Sequence, residues 1–521
     1  MNKFEKIKAE KDGLDVWPDI ERYARLGWEA ITEDDKVRMK WYGLFFRKHT
    51  PGFFMLRIRI PNGIVTAEQV RCVAALAQEF GRGELDITTR QQIQVRWFRI
   101  EHVPDMFDRL ERVGLDPRQT GMDNVRNVVG CPLAGVTAHE LFDASPVVRA
   151  YTARLVGNKE FSNLPRKFNV AITGCVDNCV HLETQDVAFV PAVKHVDGGE
   201  RVGFNVLVGG KQGSGGFTPA RPLDAFVRRE DAVDVCVQIT SLFRDHGSRD
   251  VRSRARLAFL LDDWGVERFR SELEARLGRA LERAGRDMRG AYHADHLGVI
   301  PQRQHGLYSV GLAVPVGRLQ AAHAVELASL ADRYGRSEVR LTPGQNVVLT
   351  HVPDGELRSL LNEPLLRELR PDPPPSIRGT VACVGVGLCD LAQTDTKAHA
   401  LEVARRLAWS TRLDRPIAIH WSGCPAGCGL HQAADIGLQG GKARIDDQIV
   451  EVYRVFVGGR TGRAARPATP VLSQVPAALV GDVVERLAHA HAAGADLVET
   501  GRRLAADLGQ TGDEGAGETA A

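Results

Sequence analysis

Hydrophobic and polar positions alternate along residues 54–60 (FMLRIRI) and again along 308–314 (YSVGLAV), the pattern of half-buried strands. After the first comes AEQVRCVAALAQEF (67–80), apolar at helical spacing, and then LDITTRQQIQV (85–95), which reads as a second strand. The same order follows the second alternating segment. Residues 61–95 and 315–349 align without a gap at an offset of 254: Pro61 with Pro315, Gly63 with Gly317, Leu76 with Leu330, Gly81 with Gly335, Thr88 with Thr342, Gln91 with Gln345. A second repeat runs at an offset of 249. It sets Gly174, Cys175, Cys179 and Asp186 on Gly423, Cys424, Cys428 and Asp435, and the VLVGGK ending at Lys211 on the VFVGGR ending at Arg460. Two gapless registers in one chain indicate internal duplication. The expected fold is α+β, with two related halves facing one another. An acidic and Arg-rich helical stretch, roughly 251–290, is expected to separate the halves. RPDPPPSIRG (370–379) reads as a stiff linker, and the last fifteen residues, DLGQTGDEGAGETAA, as a disordered tail.

Length and composition narrow the class. At 521 residues several domains are expected, and 43% apolar with 26% charged residues is the make-up of a globular protein with sizeable cores. No apolar run reaches the roughly eighteen residues of a membrane span. The opening MNKFEKIKAEKDGLDVW lacks an apolar core and a small-residue cleavage site, so the cytoplasm is the expected compartment. A net charge of +2, from 68 basic and 66 acidic residues, argues against a dedicated nucleic-acid binder. Most of the cations are arginines, which suit carboxylates and other oxyanions.

Nine cysteines in a cytoplasmic chain do not suggest a disulfide framework. Cys383-x5-Cys389 followed by Cys424-x3-Cys428 gives two close pairs about 35 residues apart, which satisfies the four-thiolate ligation of an iron–sulfur cubane. Structural zinc favours two-residue gaps within a pair, and buried structural cysteines are the plainest alternative. Glycines flank both pairs, in ACVGVGLC and SGCPAGCG, where a cluster needs close backbone approach. The first half keeps Cys175-x3-Cys179 and has Cys131 near the position of Cys383, but no C-x5-C. Reduced, partly buried thiols are expected there rather than a second cluster.

C-x5-C followed by HWSGCPAGCGLHQAADIGLQG resembles the signature of the nitrite and sulfite reductase family. KWYGLFFRKHTPGFFMLRIRIPNGI, LDITTRQQIQVRW, GMDNVRNVVGCPLAG, LPRKFNV and GFNVLVGG are similar to that family's first-half motifs, so the likeness runs through nearly the whole chain. It implies two pseudo-symmetric halves enclosing siroheme, with a [4Fe–4S] cluster bound by the second half. Cys383, Cys389, Cys424 and Cys428 are implied as cluster ligands, Cys428 also bridging to the siroheme iron. Arg90, Gln94 and Arg96, placed along one strand, are implied contacts of the eight siroheme carboxylates. The glycine pairs Gly209–Gly210 and Gly458–Gly459 could add backbone amides, or be ordinary tight turns. Arg57, Arg126, Lys167 and Asn169 are implied substrate residues. Lys167 and Asn169, two apart, fall on one face of an extended segment.

The implied organisation is an N-terminal segment (1–46), a ferredoxin-like half-domain (47–117), a substrate-side siroheme domain (118–300), a second half-domain (301–369), a [4Fe–4S]/siroheme domain (370–505) and a disordered tail (506–521). The implied reaction is six-electron reduction of nitrite to ammonium. Assimilatory sulfite reduction is the nearest rival, separated from it by Asn169, where sulfite reductases usually carry a second lysine. A cobalamin-pathway monooxygenase and a cluster-only redox protein are more distant alternatives. No G-x-G-x-x-G follows a strand, so no nicotinamide or flavin site is expected. Electrons are expected from a small acidic protein, ferredoxin or flavodoxin, delivered to a monomer with no membrane or nucleic-acid partner.

Overall fold

The computed structural model describes residues 2–290 and 294–510. Helices Ala67–Phe80 and Ala321–Tyr334 form where the apolar spacing places them and pack against each other. The first is closed by a capping box in which Thr66 and Gln69 exchange side-chain and backbone bonds. Each helix lies on a five-stranded sheet, and the two sheets exchange edge strands. One sheet runs Leu44–Phe46, Phe54–Ile58, Ile93–Phe98, Glu84–Ile87 and then Arg318–Gln320, which comes from the other half. The other runs Gly298–Pro301, Leu307–Leu312, Val347–Pro353, Glu338–Leu341 and then Ile64–Thr66, which comes from the first half. Leu319 pairs with Leu85, and Val339 with Val65, so the exchange obeys the 254-residue offset. A single apolar core therefore spans both halves, with Val73, Leu76, Leu327 and Leu330 at its centre and Val16, Ile20 and Tyr23 of the N-terminal helices closing one side.

Two further sheets obey the 249-residue offset. In the first half Val170–Ile172, Val187–Val196, Gly199–Val208 and Arg221–Val227 correspond to Ile419–Ser422, Ile436–Ile445, Gln448–Val457 and Thr469–Pro476 in the second. Both begin with a parallel pair and continue antiparallel. A carboxylate fixes the corner in each, fully buried in the first half and partly buried in the second. Asp186 accepts from the backbone N–H of Asn169 (2.7 Å) and Asp435 from that of Ala418 (2.9 Å).

Four expectations change. The segment 85–95 is two strands, Glu84–Ile87 and Ile93–Phe98, joined by the turn 88–92. Thr88 makes that turn: its Oγ1 accepts from the N–H groups of Arg90 (3.2 Å) and Gln92 (3.1 Å). Arg90 therefore sits on the turn, apart from Gln94 and Arg96 on the strand. The stretch 251–290 contributes the helix Leu257–Leu277, but also the strand Arg286–Asp287, which joins the first-half sheet. The proline run ends in a short helix, Pro375–Arg378. Residues 506–510 of the supposed tail are ordered: Asp507 ends the helix Leu497–Asp507, and Gln510 accepts from the N–H of Ser473 (3.0 Å). The remainder, 511–521, lies outside the described residues.

No described helix is long and apolar enough to cross a membrane.

Candidate functional site

Turn 88–92 reaches across to the second half because Gln91, buried and left-handed (φ 56°), anchors it. Its amide donates to the carbonyls of Gly130 (3.0 Å) and Leu341 (2.9 Å) and accepts from the N–H of Gly130. Gln345 repeats this in the other half, on Ile87 and Ala382. So held, the turn donates from Thr89 Oγ1 to the carbonyl of Cys428 (3.1 Å) and aims Arg90 into the space between the halves.

The cysteine loops face it. Cys383 follows the strand Thr380–Ala382, and its sulfur accepts from the N–H of Gly423 (3.1 Å), which ties the two cysteine loops together. Cys428 is the most exposed of the four and the thiol that acts electrostatically on the other three. Burial raises the thiols of Cys383, Cys389 and Cys424, and Cys428 raises them further; Cys424 is pushed up to about 12. Four thiols gathered in this way suit a metal centre whose positive charge takes up that of the thiolates. Gly427 lets the loop dock. Its φ is 68°, and a Cβ there would stand 2.8 Å from the Cα of Gly213, while its carbonyl accepts from Gln212 Nε2 (2.7 Å).

Cations collect opposite Cys428. Arg57, Arg90, Arg126 and Lys167 are partly exposed by surface area yet enclosed by protein, as side chains lining an internal cavity are. Burial lowers all four, Arg57 to about 10, and the cations around them add to it. Arg57 donates to the carbonyl of Thr120 (3.2 Å), and Arg126 to those of Thr120 and Met122 (2.5 and 2.8 Å), leaving the Arg126 Nε buried without a partner among the described residues. Lys167 makes no hydrogen bond or ion pair with the described residues. Phe168 turns into the core (0% exposed) while Asn169 stays on the cavity side, its Oδ1 buried and unbonded among the described residues. The two residues precede the strand Val170–Ile172 in extended chain, so they do share a face.

Gln94 and Arg96 behave differently from Arg90. Arg96 donates to Asp86 (2.7 Å), to Gln94 Oε1 and to the carbonyl of Leu388 (3.1 Å) between Cys383 and Cys389. Both residues brace the cysteine loop.

Sequence reasoning missed two cations. Arg47 is 2% exposed with none of its three guanidinium nitrogens bonded among the described residues, and stacks over Trp97 (4.9 Å) near Cys389. It lay in a quoted motif, but nothing local marked it. Arg256 forms a two-pronged pair with Asp186 (2.9 and 2.7 Å) and so steadies Asn169. Cys131, Cys175 and Cys179, expected to be partly buried, are wholly buried.

An α+β frame built twice over, with four thiols set against a cavity of unneutralised cations, is the architecture of one class of redox proteins, and the chain belongs to the nitrite and sulfite reductase family. The nitrite and sulphite reductase 4Fe-4S domain matches residues 121–281 and 375–505, and the nitrite/sulfite reductase ferredoxin-like half domain matches 46–113 and 300–366. Within that family the chain is similar to ferredoxin–nitrite reductases. It is 47% identical to that of Synechococcus elongatus over 94% of this chain and 96% of the relative, and 45% identical to the chloroplastic enzyme of Zea mays over 91% and 87%. The assimilatory ferredoxin-dependent nitrite reductase of Haloferax mediterranei is 40% identical over 94% and 89%. Among solved structures, the Mycobacterium tuberculosis NirA protein superposes with a TM-score of 0.89 at 31% identity, covering 97% of this chain and 96% of that one.

Proposed function

We propose that the chain reduces nitrite to ammonium with electrons from reduced ferredoxin, acting as a cytoplasmic monomer. The observation that carries this is the cavity itself: Arg57, Arg90, Arg126 and Lys167 converge with too little negative charge to balance them, and the neutral amide of Asn169 stands among them.

The residues fit siroheme and a [4Fe–4S] cluster. Cys383, Cys389, Cys424 and Cys428 would ligate the cluster, with Cys428 facing the siroheme iron as well. The guanidinium of Arg47, unbonded among the described residues, and that of Arg90 suit carboxylates arriving with the macrocycle, while Arg57, Arg126 and Lys167 suit the substrate anion, because buried cations without a counter-charge cost several kcal/mol. Bound there, the cluster would relay single electrons and the siroheme would supply the redox-active iron.

The protein's own part is to hold the anion and supply protons. Burial, Arg256 and Arg90 push the Lys167 ammonium well below its ordinary value. An entering anion opposes that and favours the charged ammonium, which can hydrogen-bond the anion and donate a proton to it. Nitrite is a monoanion, whereas sulfite near neutral pH is in substantial part a dianion. A neutral Asn169 leaves the cavity one positive charge short of the arrangement a dianion favours.

Parallel turnover assays with nitrite and sulfite, driven by reduced viologen, test the reading. Wild type is expected to prefer nitrite. Asn169→Lys is expected to move the ratio of specificity constants toward sulfite by about one to two decades, the worth of one charge-assisted hydrogen bond of roughly 1–3 kcal/mol. A wild type that prefers sulfite, or a ratio that does not move, defeats the assignment.

The donor is tested separately. Turnover should proceed with reduced ferredoxin but not with NADPH or NADH alone. The ferredoxin rate should fall between low salt and 0.5 M salt, since screening shortens the reach of docking charges to a few ångströms. Unaided turnover with NADPH would contradict the donor assignment.

A further inference from the structure

The closest gathering of soft ligand atoms among the described residues lies away from the cysteines that face the cavity. Sγ of Cys131, Sγ of Cys179 and a ring nitrogen of His296 lie within 4.8 Å of one another, and all three residues are buried. The Cys175 thiol stands outside that 4.8 Å set but contacts Cys131 and lies in the same buried cluster, within reach as a fourth donor. Three separate segments deliver these donors. Cys131 follows the bridge at Val129, Cys175 and Cys179 follow the strand Val170–Ile172, and His296 precedes the strand Gly298–Pro301.

We propose that Cys131, Cys175, Cys179 and His296 bind a structural zinc ion. The distances suit one metal. Tetrahedral zinc with Zn–S of about 2.3 Å and Zn–N of about 2.0 Å sets sulfur and nitrogen about 3.5 Å apart. Cys131 Sγ and His296 Nε2 are 3.7 Å apart. Donors packed this tightly leave no room for a four-iron core, which explains how the first half kept C-x3-C from the duplication without keeping a cluster.

The surroundings fit a cation as well. The donors sit among Val129, Leu133, Val180 and Leu182, a setting that disfavours bare thiolates. Zinc replaces thiol protons, which pass to solvent, and its charge compensates the sulfurs left behind. Asp177, felt by Cys175, Cys179 and His296, adds a carboxylate outside the ligands, and its position is fixed by His139 Nδ1 at 3.0 Å. His296 is held in a left-handed conformation (φ 60°) beside Asp295, which receives two bonds from Arg378. His296 and Asp177 also line a cleft of about 510 Å³ that opens to the surface and gives a metal its way in.

The test uses the holoenzyme, grown with zinc and dialysed against EDTA. Elemental analysis is expected to find about one zinc per chain beside the iron, and the zinc absorption edge to report sulfur at about 2.3 Å and nitrogen at about 2.0 Å. Cys131→Ser and His296→Gln should each lower zinc at least tenfold while iron stays unchanged. Should either variant fail to fold, titrating wild-type thiols with a mercurial must release zinc in step. Wild type holding less than about a tenth of an equivalent of zinc, variants retaining it, or a disulfide between Cys131 and Cys179 in the purified protein would overturn the proposal.

Discussion

Cys428→Ser is expected to abolish nitrite turnover, by about 100-fold or more, and to change the cluster and siroheme spectra together. Cys428 occupies a position the other three cysteines do not. It is the most exposed of the four, its charge reaches Cys383, Cys389 and Cys424 on one side, and it reaches Arg57, Arg90 and Lys167 on the other. Its carbonyl is fixed from the first half by Thr89, so backbone relaxation cannot readily move a serine into an equivalent place. A hydroxyl at this point is a poor soft ligand and keeps its proton at neutral pH. Iron and acid-labile sulfide assays, with visible and electron paramagnetic resonance spectra, check the result. Normal coupling between the two centres with normal turnover would mean that Cys428 does not lie between them.

The second large effect is on stability. Asp86 is 3% exposed and meets three cations: Arg96 at 2.7 Å, Arg318 at 3.2 Å and Lys397 at 3.2 Å. Burial alone would raise its carboxyl, but Lys397, Arg96 and Arg318 together hold it well below the carboxylate range. Asp86→Asn leaves buried cations without their anion and should cost about 3–5 kcal/mol in denaturant unfolding. The pH dependence follows from the sign. A depressed folded pKa contributes stability that is present above the unfolded value of about 3.9 and lost as pH falls toward the folded one. The gap between wild type and Asp86→Asn should therefore narrow as pH drops below about 4. A difference under about 1 kcal/mol at pH 7 would mean that water reaches the group.

What the sequence could tell follows the range over which each feature is encoded. The helix Ala67–Phe80 and its copy Ala321–Tyr334 were legible because their apolar spacing is complete within four turns. The cysteine pairs were legible for the same reason. The turn at 88–92 was missed because apolar alternation resumes at Ile93 as if unbroken, and only the Thr88 hydroxyl shows the chain reversing. The exchanged strands Ile64–Thr66 and Arg318–Gln320 are three residues each, too short for any periodic signal, and their partners lie in the other half. Arg47 and His296 were missed for a third reason. Each matters through a neighbour far along the chain, Trp97 for the one and Cys131 for the other.

That exchange of strands also sets a timetable for synthesis. Thr66 leaves the ribosome 272 residues before Glu338, its partner (338 − 66), and the first sheet stays open at Glu84–Ile87 until Arg318–Gln320 follows. At about 5–20 residues per second the nascent chain must carry the unpaired strand Ile64–Thr66 for roughly 15–50 s. Through that interval it exposes a strand edge and one face of the helix Ala67–Phe80, the surfaces on which misassembly and chaperones act. A truncated product ending between the halves never acquires its missing strand and leaves that face bare. Duplication gave this protein two similar halves, and the exchange made them a single unit of folding, so neither can be lost, swapped or repaired without the other.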